Sequence, residues 1–136
     1  MVIALIAQDE KKEIMTELCI AYCGILSKHT LCATARTGKM ISEITGLKID
    51  KVLSGEQGGI QQIASRIEYN EIDLLLFFRN NNTDKLFDQN DINLLHLCDV
   101  YNIPVATNIA TAETVIMGLA RGDLDWRQNI SQSKSL

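Results

Sequence analysis

Long apolar runs are missing from this chain. The longest, MVIALIA and IDLLLFF, fall far short of the length a helix needs to cross a bilayer. An excess of positive charge is missing too: 13 Lys and Arg against 17 Asp and Glu give a formal net charge of -4. That sign is wrong for a protein that coats a nucleic-acid polymer, so any anion site must be local. No basic segment followed by an apolar core and a small-residue cleavage site precedes the first strand-like run, and a cytoplasmic protein is expected. The four cysteines, Cys19, Cys23, Cys32 and Cys98, form no CxxC pair and lie in apolar sequence. Cys19 and Cys23 are spaced to share a helix face, yet no zinc pattern surrounds them; reduced core residues are expected and no metal.

What is present reads as one globular domain. A length of 136 residues with 46% hydrophobic content suffices for a single core. The domain is expected over residues 1–128, followed by a disordered tail over 129–136. Strand-like runs fall at Val2–Ala7, Leu31–Thr34, Ile49–Leu53, Ile72–Phe78 and Pro104–Thr107, each apolar or β-branched as a strand buried on both faces requires. Between them lie stretches with apolar spacings of three and four, Lys11–Leu26, Gly38–Thr45, Gly58–Tyr69, Gln89–Tyr101 and Thr111–Leu119. This βα alternation predicts an α/β fold, a single doubly wound domain with a five-stranded, mainly parallel sheet flanked by helices. Ligands in such folds sit beyond the carboxyl ends of the strands.

The loops at those ends read AQDEKK, TARTGK, SGEQGG, FRNNNTDKLFDQN and TNIATAE. Four of the five offer anion donors. Lys12 stands near the start of the first helix, Thr34 and Thr37 flank Arg36, and Ser54 and Gly55 open the third loop. Taken singly, each has an ordinary explanation as a solvated lysine, a helix cap or a turn glycine. Their coincidence at successive strand ends points to a phosphate cradle. Ile60 stands out in the third loop, because an isoleucine beside such a cradle cannot move a proton.

The segments IALIAQDEKK, CATARTGK, LSGEQGGIQQI, LLLFFRNNN, LCDVYNIPVATNIATAE and RGDLDWR resemble methylglyoxal synthase, in order and spacing, over nearly the whole chain. The resemblance implies the methylglyoxal synthase-like fold, a homohexamer, no cofactor, and a reaction in which dihydroxyacetone phosphate loses phosphate to give methylglyoxal. It places the family's phosphate-gripping residues on Lys12, Thr34, Thr37, Ser54 and Gly55, with Ala35 and Arg36 in the same loop. Its proton-handling positions fall on Gln8, Ile60, Asn80, Phe87 and Asn90, none of which is the family's type. Asp9 is kept, in an architectural or supporting position.

Three carboxylate positions of the family are neutral here and Arg36 is added, so a more positive pocket is expected. With no general base at these positions, the main expectation is a protein that has lost lyase activity. It would sense or sequester a phosphorylated small molecule, such as a nucleotide signal, with Gln8 as a hydrogen-bonding wall and Phe87 either stacking on a base or plugging the site. An active lyase that recruits Asp84, Asp88 or Asp91 is the alternative. A regulatory or scaffold subunit of an active paralogue is a third reading.

Overall fold

A computed structural model describes residues 1–81 and 88–128 of the chain. Five parallel strands, β1 (Val2–Ala7), β2 (Thr30–Ala33), β3 (Ile49–Lys51), β4 (Leu74–Phe78) and β5 (Val105–Ala106), form one sheet in the order β3-β2-β1-β4-β5. The parallel doubly wound prediction holds. The chain winds outward from β1 through β2 to β3, then crosses back to place β4 on the other side of β1. That reversal is a topological switch point, and it opens a crevice at the carboxyl edge.

Among the described residues six α-helices cover the two faces: α1 (Lys12–Ala21), α2 (Cys23–Leu26), α3 (Ala35–Thr45), α4 (Gly59–Glu68), α5 (Gln89–Val100) and α6 (Ile109–Arg121). Alternate residues of β1 feed opposite cores, as the period of two demands. Ile3, Leu5 and Ala7 pack with Met15, Leu18, Ile41 and Ile116 of α1, α3 and α6. Ala4 and Ile6 pack with Ile63, Ile67, Leu94 and Cys98 of α4 and α5. Cys19, Cys32 and Cys98 are buried free thiols, and burial pushes Cys19 and Cys98 up to about 12.

Three boundaries differ from expectation in ways that matter for the site. The first predicted helix, Lys11–Leu26, is divided: a 3-10 turn at Asp9–Lys11 precedes α1, and Tyr22, at φ -111 and ψ 24, breaks it from α2. The second begins at Ala35 rather than Gly38, because extended Thr34 ends β2 and its carbonyl accepts from Gly38 N–H at 2.8 Å. Gly38 is thus inside the helix, where a Cβ would lie 2.9 Å from Lys51 Cγ. Edge strands β3 and β5 are shorter than their apolar runs. The predicted tail over 129–136 lies outside the described residues.

Leu5 is fully buried at the centre of the sheet, whereas Ile20 of α1 is 52% exposed. Leu5→Ala should therefore cost about 2–5 kcal/mol, and Ile20→Ala should stay within about 0.5 kcal/mol. Urea unfolding of both variants checks the contrast.

Candidate active site

One carbonyl gathers the start of the site. Ala7 ends β1, and its C=O accepts from Lys12 Nζ at 2.7 Å and from Thr37 Oγ1 at 3.2 Å. Ala7 N–H in turn donates to Thr37 Oγ1 at 3.4 Å, and the Thr34 hydroxyl lies 3.3 Å from that same oxygen. Thr37 is accordingly buried and structural: it ties α3 to β1 and does not border the cavity described below, and neither does Ala35. Ala35 N–H is directed at Leu53 C=O, 3.4 Å away. Both were expected as ligand contacts; the sheet end uses them instead.

Around this knot, at the carboxyl edge of the sheet, lies a cavity of about 410 Å³. The end of β1 contributes Gln8, Asp9 and Lys12; the β2 end Thr34 and Arg36; the β3 end Ser54, Gly55, Glu56 and Ile60; the β4 side Asn80, Asp88, Asn90 and Asp91. The loop after β5 does not reach it. Phe87 and Asp84 lie outside the described residues.

Lys12 Nζ also pairs with Asp9 Oδ1 at 3.1 Å. An ammonium carries three N–H donors, so after Ala7 and Asp9 one remains for a ligand. The bond from Lys12, then its charge, holds the Asp9 carboxyl below the usual range. Arg36 is exposed and donates no hydrogen bond to a described residue. Ser54 caps the 3-10 turn Gly55–Gln57 through its backbone, with its hydroxyl left out of the cap.

The glycines of this loop separate into two kinds. Gly58 sits at φ +102, and a Cβ on Gly59 would fall 2.1 Å from Leu53 O and 2.9 Å from Ser54 O, so the turn itself demands them. Gly55 has ordinary backbone angles and open space where a Cβ would stand. The fold does not require glycine there; an approaching ligand would.

Gln8 and Asn80 lace the β1 and β4 ends together. Gln8 Oε1 accepts from Asn80 N–H at 2.7 Å, and Asn80 Oδ1 accepts from Glu10 N–H at 3.0 Å. Both are neutral acceptors in these bonds, which leaves the Gln8 amide NH2 as a donor at the cavity wall. Ile60 presents a half-buried apolar wall.

Carboxylates supply the opposite side. Asp88 is the N-cap of α5, its carboxylate accepting from Asn90 N–H at 2.9 Å and Asp91 N–H at 3.3 Å. That cap fixes the phase of the helix, so Asp91 heads the inward stripe continued by Leu94 and Cys98, at spacings of three and four. Asp91 is only 5% exposed. Burial first, then the charge of Asp88, pushes its carboxyl above the usual range, with Arg79 opposing. Among the described residues the wall thus carries two cations, Lys12 and Arg36, against four carboxylates, Asp9, Glu56, Asp88 and Asp91. Glu56 was not among the expected site residues. No group of His, Cys, Asp and Glu suited to a metal occurs among the described residues.

A family model for the MGS-like domain matches residues 15–107. The methylglyoxal synthase of Caldicellulosiruptor saccharolyticus is 54% identical over 129 residues, 95% of this chain and 92% of that protein. The chain belongs to the methylglyoxal synthase family. The methylglyoxal synthase of Oceanobacillus iheyensis is 50% identical over 130 residues, covering 96% and 93% of the two chains. A crystal structure of methylglyoxal synthase from Elizabethkingia anophelis NUHP1 superposes with a TM-score of 0.78 at 37% identity, over 85% of this chain and 76% of that one.

These likenesses overturn the expectation of a lost-activity binding protein. Identity near one half over nearly the whole length to several methylglyoxal synthases favours the lyase alternative. The physical reason lies in the wall: the expectation rested on Gln8, Ile60, Asn80, Phe87 and Asn90, while Asp88 and Asp91 return carboxylates to the same cavity. The RGDLDWR segment that helped carry the resemblance lies elsewhere. Arg127 is buried 3.6 Å from Asp73 and donates to the carbonyls of Tyr101 and Asn102.

The two glycines give a direct check on the third loop. Gly59→Ala should destabilise the fold by at least about 1–3 kcal/mol through backbone overlap. Gly55→Ala should leave stability within about 0.5 kcal/mol. Thermal melts of the two variants measure the difference.

Proposed function

We propose that the chain is a methylglyoxal synthase, a carbon–oxygen lyase that converts dihydroxyacetone phosphate to methylglyoxal and inorganic phosphate in the carboxyl-edge cavity. One observation carries the reading: in a chain of this family, the sheet order sets phosphate donors against carboxylates across a single crevice. Lys12, Thr34, Arg36, Ser54 and Gly55 lie at the ends of β1, β2 and β3, whereas Asp88 and Asp91 lie beyond β4. Two strand spacings, about 10 Å, separate β2 from β4.

The chemistry fits that division. Elimination begins when a base removes a proton from the hydroxymethyl carbon; the electron pair forms a carbon–carbon double bond and the ketone oxygen becomes an enediolate oxygen. The hydroxyl on that carbon then becomes the aldehyde carbonyl, its proton leaving with phosphate; the double bond shifts to the methylene carbon, the carbon–oxygen bond to phosphate breaks and its pair departs with phosphate. The enolate of methylglyoxal left behind takes up a proton at the methylene carbon. No electrons enter or leave, so the step needs no redox cofactor. The last N–H of Lys12 and the Arg36 fork grip phosphate oxygens, the open space at Gly55 lets the backbone approach them, and the Gln8 amide donates to the developing enediolate oxygen.

The same reading includes a cytoplasmic, homohexameric enzyme. Ile44, Val100 and Met117 leave apolar surface for subunit contacts.

Purified from a host that lacks its own such enzyme, the protein should release methylglyoxal and phosphate from dihydroxyacetone phosphate in equal amounts. Lys12→Ala should weaken binding of substrate and of inhibitory phosphate by about 1.5–3 kcal/mol. A wild-type rate no greater than the buffer blank would refute the proposal.

A further inference from the structure

Among the described residues four carboxylates border the cavity, and three of them are poorly placed to take a proton from carbon. Asp9 is committed to Lys12, and its side chain is 71% exposed. Asp88 is exposed and caps α5, one of its carboxylate oxygens already accepting from two backbone N–H groups. Glu56 rides on the exposed 3-10 turn after Ser54, on the β3 side of the cavity with the phosphate donors Ser54 and Gly55. Asp91 differs from all three. It is 5% exposed, no described residue donates a hydrogen bond to its carboxylate, and the α5 stripe turns it inward on the β4 side, away from the phosphate donors.

We propose that Asp91 is the general base that removes the hydroxymethyl proton, and that Asp88, which caps α5 and accepts from Asp91 N–H, is a positioning residue that orients it. This rests on the lyase reading above. In the step, one Asp91 carboxylate oxygen forms a bond to the proton, the C–H pair moves into the new carbon–carbon bond, and the ketone oxygen takes the charge beside the Gln8 amide. After the hydroxyl proton has left with phosphate, the proton on Asp91 passes to the methylene carbon of the enolate, which completes methylglyoxal and regenerates the base. The charges that face Asp91 are Asp88 on its own helix and Arg79 at the end of β4, with Lys12, Arg36, Asp9 and Glu56 across the cavity. Burial and Asp88 hold its carboxyl above the ordinary range, which suits a base working near neutral pH.

The test follows two readouts on the full-length protein in heavy water: deuterium entering the hydroxymethyl carbon of dihydroxyacetone phosphate, and methylglyoxal released. Asp91→Asn should lower both by about 10²–10⁴-fold with KM changed only a few-fold, and Asp91→Glu should recover part of the loss. The acidic limb of the wild-type kcat/KM profile should lie above the ordinary carboxylate range. Asp88→Asn keeps a good N-cap, and by removing a negative neighbour it should move that limb to lower pH. If Asp91→Asn retains exchange and release within a few-fold of wild type, or if Glu56→Gln produces the loss instead, the assignment is wrong while the lyase reading stands. If wild type exchanges deuterium without releasing methylglyoxal, the lyase reading fails and exchange in Asp91→Asn still judges the base. Wild-type protein that does neither overturns both. Should Asp91→Asn fail to fold, an unmoved limb in Asp88→Asn overturns the proposal on its own.

Discussion

The Ala7 carbonyl holds the carboxyl edge together. It is the last acceptor of the central strand, and it takes one bond from Lys12 and one from Thr37. A carbonyl has two lone pairs, so both are in use and none is left unsatisfied in a buried position. Through those two bonds the start of α1 and the start of α3 are fixed to β1, and with them the ammonium of Lys12 and the fork of Arg36. The Gln8 and Asn80 lacing does the same across to β4. The cavity exists because β1 is flanked by strands that wind in opposite directions, and these bonds keep its walls from closing.

Charge is distributed across that crevice by topology. Cations and hydroxyls come from the strands that follow β1 on one side; the buried carboxylate comes from the helix that follows β4 on the other. In the proposed reaction a phosphate ester bound between them would have its leaving group on donors and its acidic C–H toward a base, which is the geometry elimination requires. Isoleucine at position 60 makes one wall apolar. An apolar neighbour disfavours ionised carboxyls, and the raised carboxyl of Asp91 shows the same physics at work in this pocket.

Much of the fold was legible because buried parallel strands announce themselves: LLLFF and VIALIA have no polar interruption. The winding order was not, since no local pattern tells whether β4 pairs with β3 or with β1. Thr34 illustrates the limit at the site. A threonine after a strand satisfies the pattern of a helix start and of a phosphate ligand alike, and the sequence alone cannot separate them; here it opens α3 and borders the cavity as well. Thr37 showed the right type and is turned into the sheet end. Asp91 was visible among three loop aspartates, but choosing it needs the phase of α5, which the Asp88 cap sets. Glu56 carried no signal beyond its place in a glycine-rich turn.

The carboxyl-edge cavity is proposed as the place where a triose phosphate is split. A crystal structure with phosphoglycolate, whose carboxylate mimics a planar enediolate, tests it most directly. The phosphate should lie among Lys12, Arg36, Ser54 and the Gly55 backbone, with the carboxylate toward Gln8 and Asp91. Phosphoglycolate seated anywhere else on the protein, or absent from the cavity at millimolar concentration, would contradict it.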